Sequence, residues 1–333
     1  MKKSILLITS LLALSLPFCG CNKSGKLNQK SEFKPPSGPM EFKLKWPQGE
    51  RVEQDIDMKM KSDITVPGQP TPLHQDMTLD MAYAMTVLQA NSDGTHEIEL
   101  EFLSSRMQVM MGGRTNLDYD SAKPAMTREA RAVGDIFGKI IGSKVQYYLN
   151  ATNGVDRIEG VDGLMTRLAT GASPQDLAPL KSTFSEGFFK QLMSANLLLP
   201  QKPVEPGDTW SVRLEFPMAM MGTMVINQDF TFDQWEMHGK RSCARLSYQG
   251  TITSKDNPAP VTGQMSMAIH DGTTSGTSWF DPELGITIDT AAVQNFKMTM
   301  EVPNPAARGQ APKMLKVETD MQQDMTVKLG SVK

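Results

Sequence analysis

Several kinds of chemistry leave no trace in this chain of 333 residues. Four histidines occur, His74, His96, His238 and His270, and none stands at metal-ligand spacing from another. There is no Gly-x-Ser-x-Gly elbow, no His-Glu-x-x-His, and no dinucleotide or Walker fingerprint. Gly134 to Lys139 comes nearest to a phosphate loop, but its spacing is one residue short and Ile140 replaces the Ser or Thr. His270-Asp271 precedes the Gly/Ser/Thr-rich stretch Gly272 to Ser278, which lacks a nucleophile signature and reads as a β-turn. These absences predict a chain with no catalytic residues, no metal and no cofactor. Positive charge is also short, with 34 basic against 37 acidic residues. An acidic balance argues against nucleic acid as a partner and against electrostatic docking on anionic lipid.

Cysteine is nearly absent, and its placement is informative. Lys2 and Lys3 precede an apolar stretch from Ile5 to Phe18, the pattern of an export signal. That stretch is too short for a membrane span, which needs about 20 residues. It ends in Phe18-Cys19-Gly20-Cys21, which resembles the lipobox of bacterial lipoproteins, with Phe18 in place of the usual aliphatic residue. The resemblance implies removal of residues 1–20 and lipidation of Cys21. The attached acyl chains, palmitate among them, would hold the protein on a membrane surface, since two or more chains give stable attachment. Asn22 after the cysteine implies the outer membrane rather than the inner one, by the better-known sorting rule. With Cys19 removed and Cys21 lipidated, Cys243 stands alone and no intramolecular disulfide can form. Residues 21–39 are Lys-, Ser-, Gly- and Pro-rich without apolar periodicity, which predicts a flexible tether.

What the chain has in excess is period-two alternation and methionine, of which there are 25. Val52, Ile56, Met58, Met60 and Ile64 share one parity, with charged residues opposite. Met77 to Val87 forms the longest stripe. After the turn Asn91-Ser92-Asp93-Gly94, Ile98, Leu100 and Phe102 return against Glu97, Glu99 and Glu101. The pattern resumes from Trp210 and continues to Leu329. One polar and one apolar face is what antiparallel sheets allow. The expected fold is therefore mostly β, with some helix: roughly a dozen long antiparallel strands, each buried on one face. Helical spacing is confined to Ala130–Ile141, Leu164/Leu168 and Phe184–Met193. The expected division is an N-terminal β lobe over 40–160 with an inserted helix, a helical connector over 161–206, and a C-terminal β lobe over 207–333.

The two lobes are expected to be related. Pro47-Gln48-Gly49-Glu50 opens one block and Pro206-Gly207-Asp208 opens the other. Tyr148 to Val155 matches Trp279 to Ile286, each with Asn or Asp four residues before a Gly. There the Asn or Asp side chain caps a turn and Gly supplies positive φ. With the lipobox, the strand openers and the Asp281-x-x-x-Gly285 hairpin in view, the chain resembles an uncharacterised, mostly β family of bacterial lipoproteins with a domain of unknown function.

The methionine stripes nominate Met58, Met60, Met77, Met81, Met85, Met265, Met267, Met298 and Met300 as candidate lining for an apolar ligand. Thioethers could also take a soft ion such as Cu(I), but alternation alone produces Met-x-Met on a buried face, and the neighbours are Leu, Ile, Val and Phe. Two readings remain: a plain packed core, or a cavity whose flexible side chains adapt to varied apolar partners. The expectation that follows is a non-enzymatic envelope lipoprotein that binds an apolar ligand, such as a lipid, or an envelope protein. The alternative is a structural or assembly protein with a packed core.

Overall fold

The computed structural model describes residues 35–171, 184–193, 198–218, 222–255, 266–303 and 314–333. Cys21, the leader, most of the tether, Met220, Met221 and Met265 lie outside them. The first strand block comprises β1 (Arg51–Thr65), β2 (Leu73–Ala90), β3 (His96–Met111), β4 (Arg114–Asp120), β5 (Lys144–Leu149) and β6 (Val155–Glu159). The second comprises β7 (Thr209–Met218), β8 (Gly222–His238), β9 (Arg241–Lys255), β10 (Ser266–Asp281), β11 (Ile286–Pro303) and β12 (Met314–Val332). Among the described residues the helices are α1 (Arg128–Ile140), α2 (Val161–Ala169) and α3 (Glu186–Leu192). They form where the apolar spacing is helical. The first is started by Thr127, whose Oγ1 accepts from the Ala130 amide at 3.0 Å.

All strand pairings are antiparallel, and they form one twelve-stranded sheet in the order β6-β5-β3-β2-β1-β12-β11-β10-β9-β8-β7, with β4 also on β3. The two blocks are thus halves of one sheet, fused where β1 pairs with β12 from Val52↔Val332 to Thr65↔Glu318. They also share local construction. The Gly49 amide donates to Val87 O at 2.9 Å while Val87 donates to Glu50 O; the Gly207 amide donates to Phe232 O at 2.7 Å while Phe232 donates to Asp208 O. Both glycines have positive φ, +83° and +100°, the conformation these openers need.

The edges, β6 and β7, do not pair, so the sheet is not closed. Flat, eleven strands at about 4.8 Å spacing would put these edges some 50 Å apart. Yet α3, a seven-residue helix about 10 Å long, packs against both. The sheet must therefore curl into an open barrel with α3 across the seam. Among the described residues, one hydrophobic cluster draws side chains from all twelve strands and from α1, α2 and α3, and it fills the inside of the curl.

One local expectation is corrected. The stretch from His270 to Ser278 is not a turn but the middle of β10, with a bulge between His270 and Thr273 and Asp271 at φ +49°. Gly272 is there because β9 passes close: a Cβ would stand 2.3 Å from Ile252 O. Its glycine marks an approach of two backbones rather than a chain reversal.

Candidate functional site

The inner face of the sheet collects the nominated methionines. Because side chains alternate, even residues of β1 and odd residues of β2 point inward, and register sets their neighbours. Met60 stands opposite Met77, Met58 opposite Leu79, Met81 opposite Ile56, and Met85 opposite Val52. In the second half Met267 stands opposite Met300 and Ile269 opposite Met298. Seven of these are buried; Met81 is half-buried and packs on the same cluster. The structure therefore brings together eight of the nine nominated residues, and Met265 lies outside the described residues. Met107, Met193, Met224, Met321 and Met325 belong to the same cluster without having been nominated. Alternation on β12 was the signal that could have found Met321 and Met325.

At the base of the barrel the N-terminal segment crosses the opening. Lys45 N donates to Gly285 O at 3.2 Å and the Trp46 indole donates to Asn153 Oδ1 at 2.8 Å. Beneath it lies a cavity bounded by Leu44, Trp46, Met85, Met193, Phe230, Ser278 and Ile286, among others. Its volume is about 30 Å³. That holds a water or two, whereas small-molecule pockets run to about 300–1,000 Å³. Met85 alone of the nominated methionines lines this cavity. The remaining seven described ones fill the barrel interior.

Higher in the barrel the apolar face is crossed by uncharged polar side chains. Ser62, Gln75, Thr274, Gln294, Thr319 and Gln323 are all at least nine-tenths buried. Each has inward parity, so period-two reading of apolar residues alone passes over them. Lower down, Tyr83 Oη donates to Gln54 Oε1 at 2.5 Å and Thr290 Oγ1 donates to Ser278 Oγ at 2.9 Å.

The outer face is charged, and near the base it carries a small polar cluster. The His238 ring stacks on Trp279 at 4.3 Å, and its Nε2 is 2.9 Å from Asp289. The Trp279 indole donates to Glu236 Oε1 at 2.5 Å, which holds that carboxyl below its usual range. Cys243 lies beside them, fully buried; burial, reinforced by Asp281, pushes its thiol up to about 12. The thiol packs with Val52, Ile286 and Ile288 in a small apolar cluster of its own. Among the described residues no group of three or more His, Cys, Asp or Glu could hold a metal ion.

Comparison with known proteins gives a family and distant structural likenesses. No curated protein matches the chain. Lipovitellin, in a structure concerned with its lipid–protein interactions, is similar over 87% of this chain at 9% identity and a TM-score of 0.41. This chain spans only 26% of the lipovitellin chain. A candidate exported protein of YmcC-like fold from Bacteroides fragilis is 12% identical, with a TM-score of 0.28, covering 88% of this chain and 100% of that one. The outer membrane protein OprG of Pseudomonas aeruginosa is 9% identical, with a TM-score of 0.24, covering 85% and 96%. A family model matches residues 93–287, from the β2–β3 turn into β11 and over half of the chain. The chain belongs to DUF6263, a family of unknown function.

Proposed function

We propose that this protein is a non-enzymatic envelope lipoprotein, anchored through Cys21, that holds an apolar ligand inside its open barrel. The observation that carries the reading is the inner face itself. Twelve methionines are buried in one cluster shared by both halves of the sheet. Unbranched thioether side chains re-pack around guests more readily than Leu or Val. Across the seam between β6 and β7 lies a short helix rather than strand pairing, which offers an entrance without breaking the sheet. A ligand larger than water enters by displacing α3 and the aromatic residues it carries. The leader and the residue after Cys21 support export and an outer-membrane location.

Native mass spectrometry of the chain made with Cys21→Ser tests the reading. Co-purified lipid or another apolar molecule is the expected result. Protein free of ligand in repeated preparations, and unable to take up added lipid, would sink it. That outcome would favour the second reading, a structural or assembly lipoprotein with a packed core, for which the 30 Å³ cavity speaks. For the anchor, the same Cys21→Ser change is expected to release the protein from membranes; continued retention would count against lipid attachment there.

A further inference from the structure

The polar residues inside the barrel form a connected belt. Ser62 on β1 stands opposite Gln75 on β2. On the other side of β1, Met60 faces Gln323 and Ile64 faces Thr319, which makes both β12 residues diagonal neighbours of Ser62. Gln323 faces Gln294 on β11, and Gln294 faces Thr274 on β10. Five adjacent strands thus contribute amides or hydroxyls to three successive inward rows of an otherwise apolar interior, a band about 13 Å deep along the strands. Gln75 Oε1, Thr274 Oγ1 and Thr319 Oγ1 are buried there without a hydrogen-bond partner among the described residues. A core selected for packing alone has no use for such groups, because each loses its hydration without replacement.

We infer that this belt receives the uncharged, hydroxyl-bearing head of an amphiphile, with its acyl tail running along the methionines toward the cavity beside Ser278. The inference rests on the interior being the ligand site and goes on to name the ligand's class. Charge selects against an acidic head. The buried charges among the described residues are Asp281 and Asp289, at the base of the barrel, where Arg241 and His238 pair with them. An anion at the belt would be buried without a counter-charge. Length is compatible with one acyl chain. The row of Ser62 lies six residues along β1 from that of Ile56, which is continuous through Val327 and Thr290 with Ser278. At about 3.3 Å per residue this is roughly 20 Å, against about 15 Å for the apolar half of a bilayer.

The test uses the full chain with Cys21→Ser, stripped of ligand, and three probes of equal chain length: monopalmitoylglycerol, palmitate at pH 8, and hexadecane. Monopalmitoylglycerol is expected to bind at least tenfold more tightly than the other two. Gln75→Leu combined with Thr319→Val should weaken it about tenfold, the loss expected for one or two hydrogen bonds. The same substitutions should raise the thermal midpoint of the ligand-free protein, because unsatisfied groups have been removed. Thr274→Val, a smaller change, supplies the same two readouts should the double variant fail to fold. Palmitate binding as tightly as the glyceride would overturn the inference, and so would an unchanged preference in the variants. A lower ligand-free midpoint would also overturn it, since the polar groups would then serve the fold. Failure of all three probes to bind would refute the interior ligand site itself, a result distinct from the loss of head-group preference.

Discussion

Gly285 joins the N-terminal segment to the base of the barrel, and replacing it with Ala should loosen that joint measurably. Its φ of +69° is left-handed, which costs a residue with a Cβ about 1–2 kcal/mol. The added methyl would also stand 2.5 Å from Lys45 N and Cβ, so the Lys45 backbone must retreat by about an ångström to reach ordinary contact. Retreat breaks the bond from Lys45 N to Gly285 O, worth about 1 kcal/mol. The expected total is about 2–4 kcal/mol, with undocking of Phe42, Leu44 and Trp46 as the alternative to global strain. Gly207→Ala is the control. Its φ is +100°, but a methyl added there would meet no atom within 4 Å, so only the conformational cost applies. Urea unfolding followed by tryptophan fluorescence measures both variants, and hydrogen exchange at the Lys45 amide reports undocking. Equal losses in the two variants, with Lys45 protection unchanged, would refute the reasoning.

Other consequences can be measured independently. Phe189 is fully buried, with ring neighbours Phe188 at 5.4 Å and Phe184 at 6.5 Å; Phe189→Ala should cost about 3–5 kcal/mol or release α3, read as increased binding of an apolar dye. A variant as stable as the parent and no more dye-reactive would deny that α3 covers the seam. Cys243, with its thiol pushed up to about 12, should resist alkylation at pH 8 in the native protein and react fully in denaturant; rapid native labelling would contradict its burial. Asp80 is raised by burial first and then by Asp57, so its ionised form opposes folding above its folded pKa. Asp80→Asn should therefore stabilise the protein at pH 7, with the gain gone once the pH falls below the ordinary aspartate range. A pH-independent gain would mean that the effect is not electrostatic.

Much of the secondary structure was legible because it depends on neighbours in sequence. The stripe from Met77 to Val87 is buried on one face of β2, and Phe184, Phe188 and Phe189 pack together into the barrel interior at α3. The matched openers at Gly49 and Gly207 both place glycine at positive φ, as their local sequence implies, although the strands they bond to, at Val87 and Phe232, lie further along the chain. β4 escapes notice because Arg114–Asp120 offers only Leu117 and Tyr119 at alternating positions. The middle of β10 reads wrongly because its glycines resemble turn residues, whereas a close neighbouring strand requires one of them. The polar belt goes unseen for a related reason: Gln75, Gln294 and Gln323 have inward parity, and a search for apolar periodicity counts them as interruptions.

By itself, then, the sequence determined most of the strands and which face of each is apolar, and some of the glycine turns, such as those at Gly49, Gly207 and Gly285; in the Asn150–Gly154 turn it is Asn153, not the glycine, that takes positive φ. These follow from backbone geometry over a few residues. It could not determine that β1 meets β12 across almost the whole chain, which merges two expected lobes into one sheet. Nor could it say that one helix, α3, packs against both edge strands, β6 and β7. Such pairings depend on how twelve strands curl around a common interior, and on register between segments hundreds of residues apart. That same long-range register decides that the methionines share one face and that six neutral polar groups meet in a belt among them.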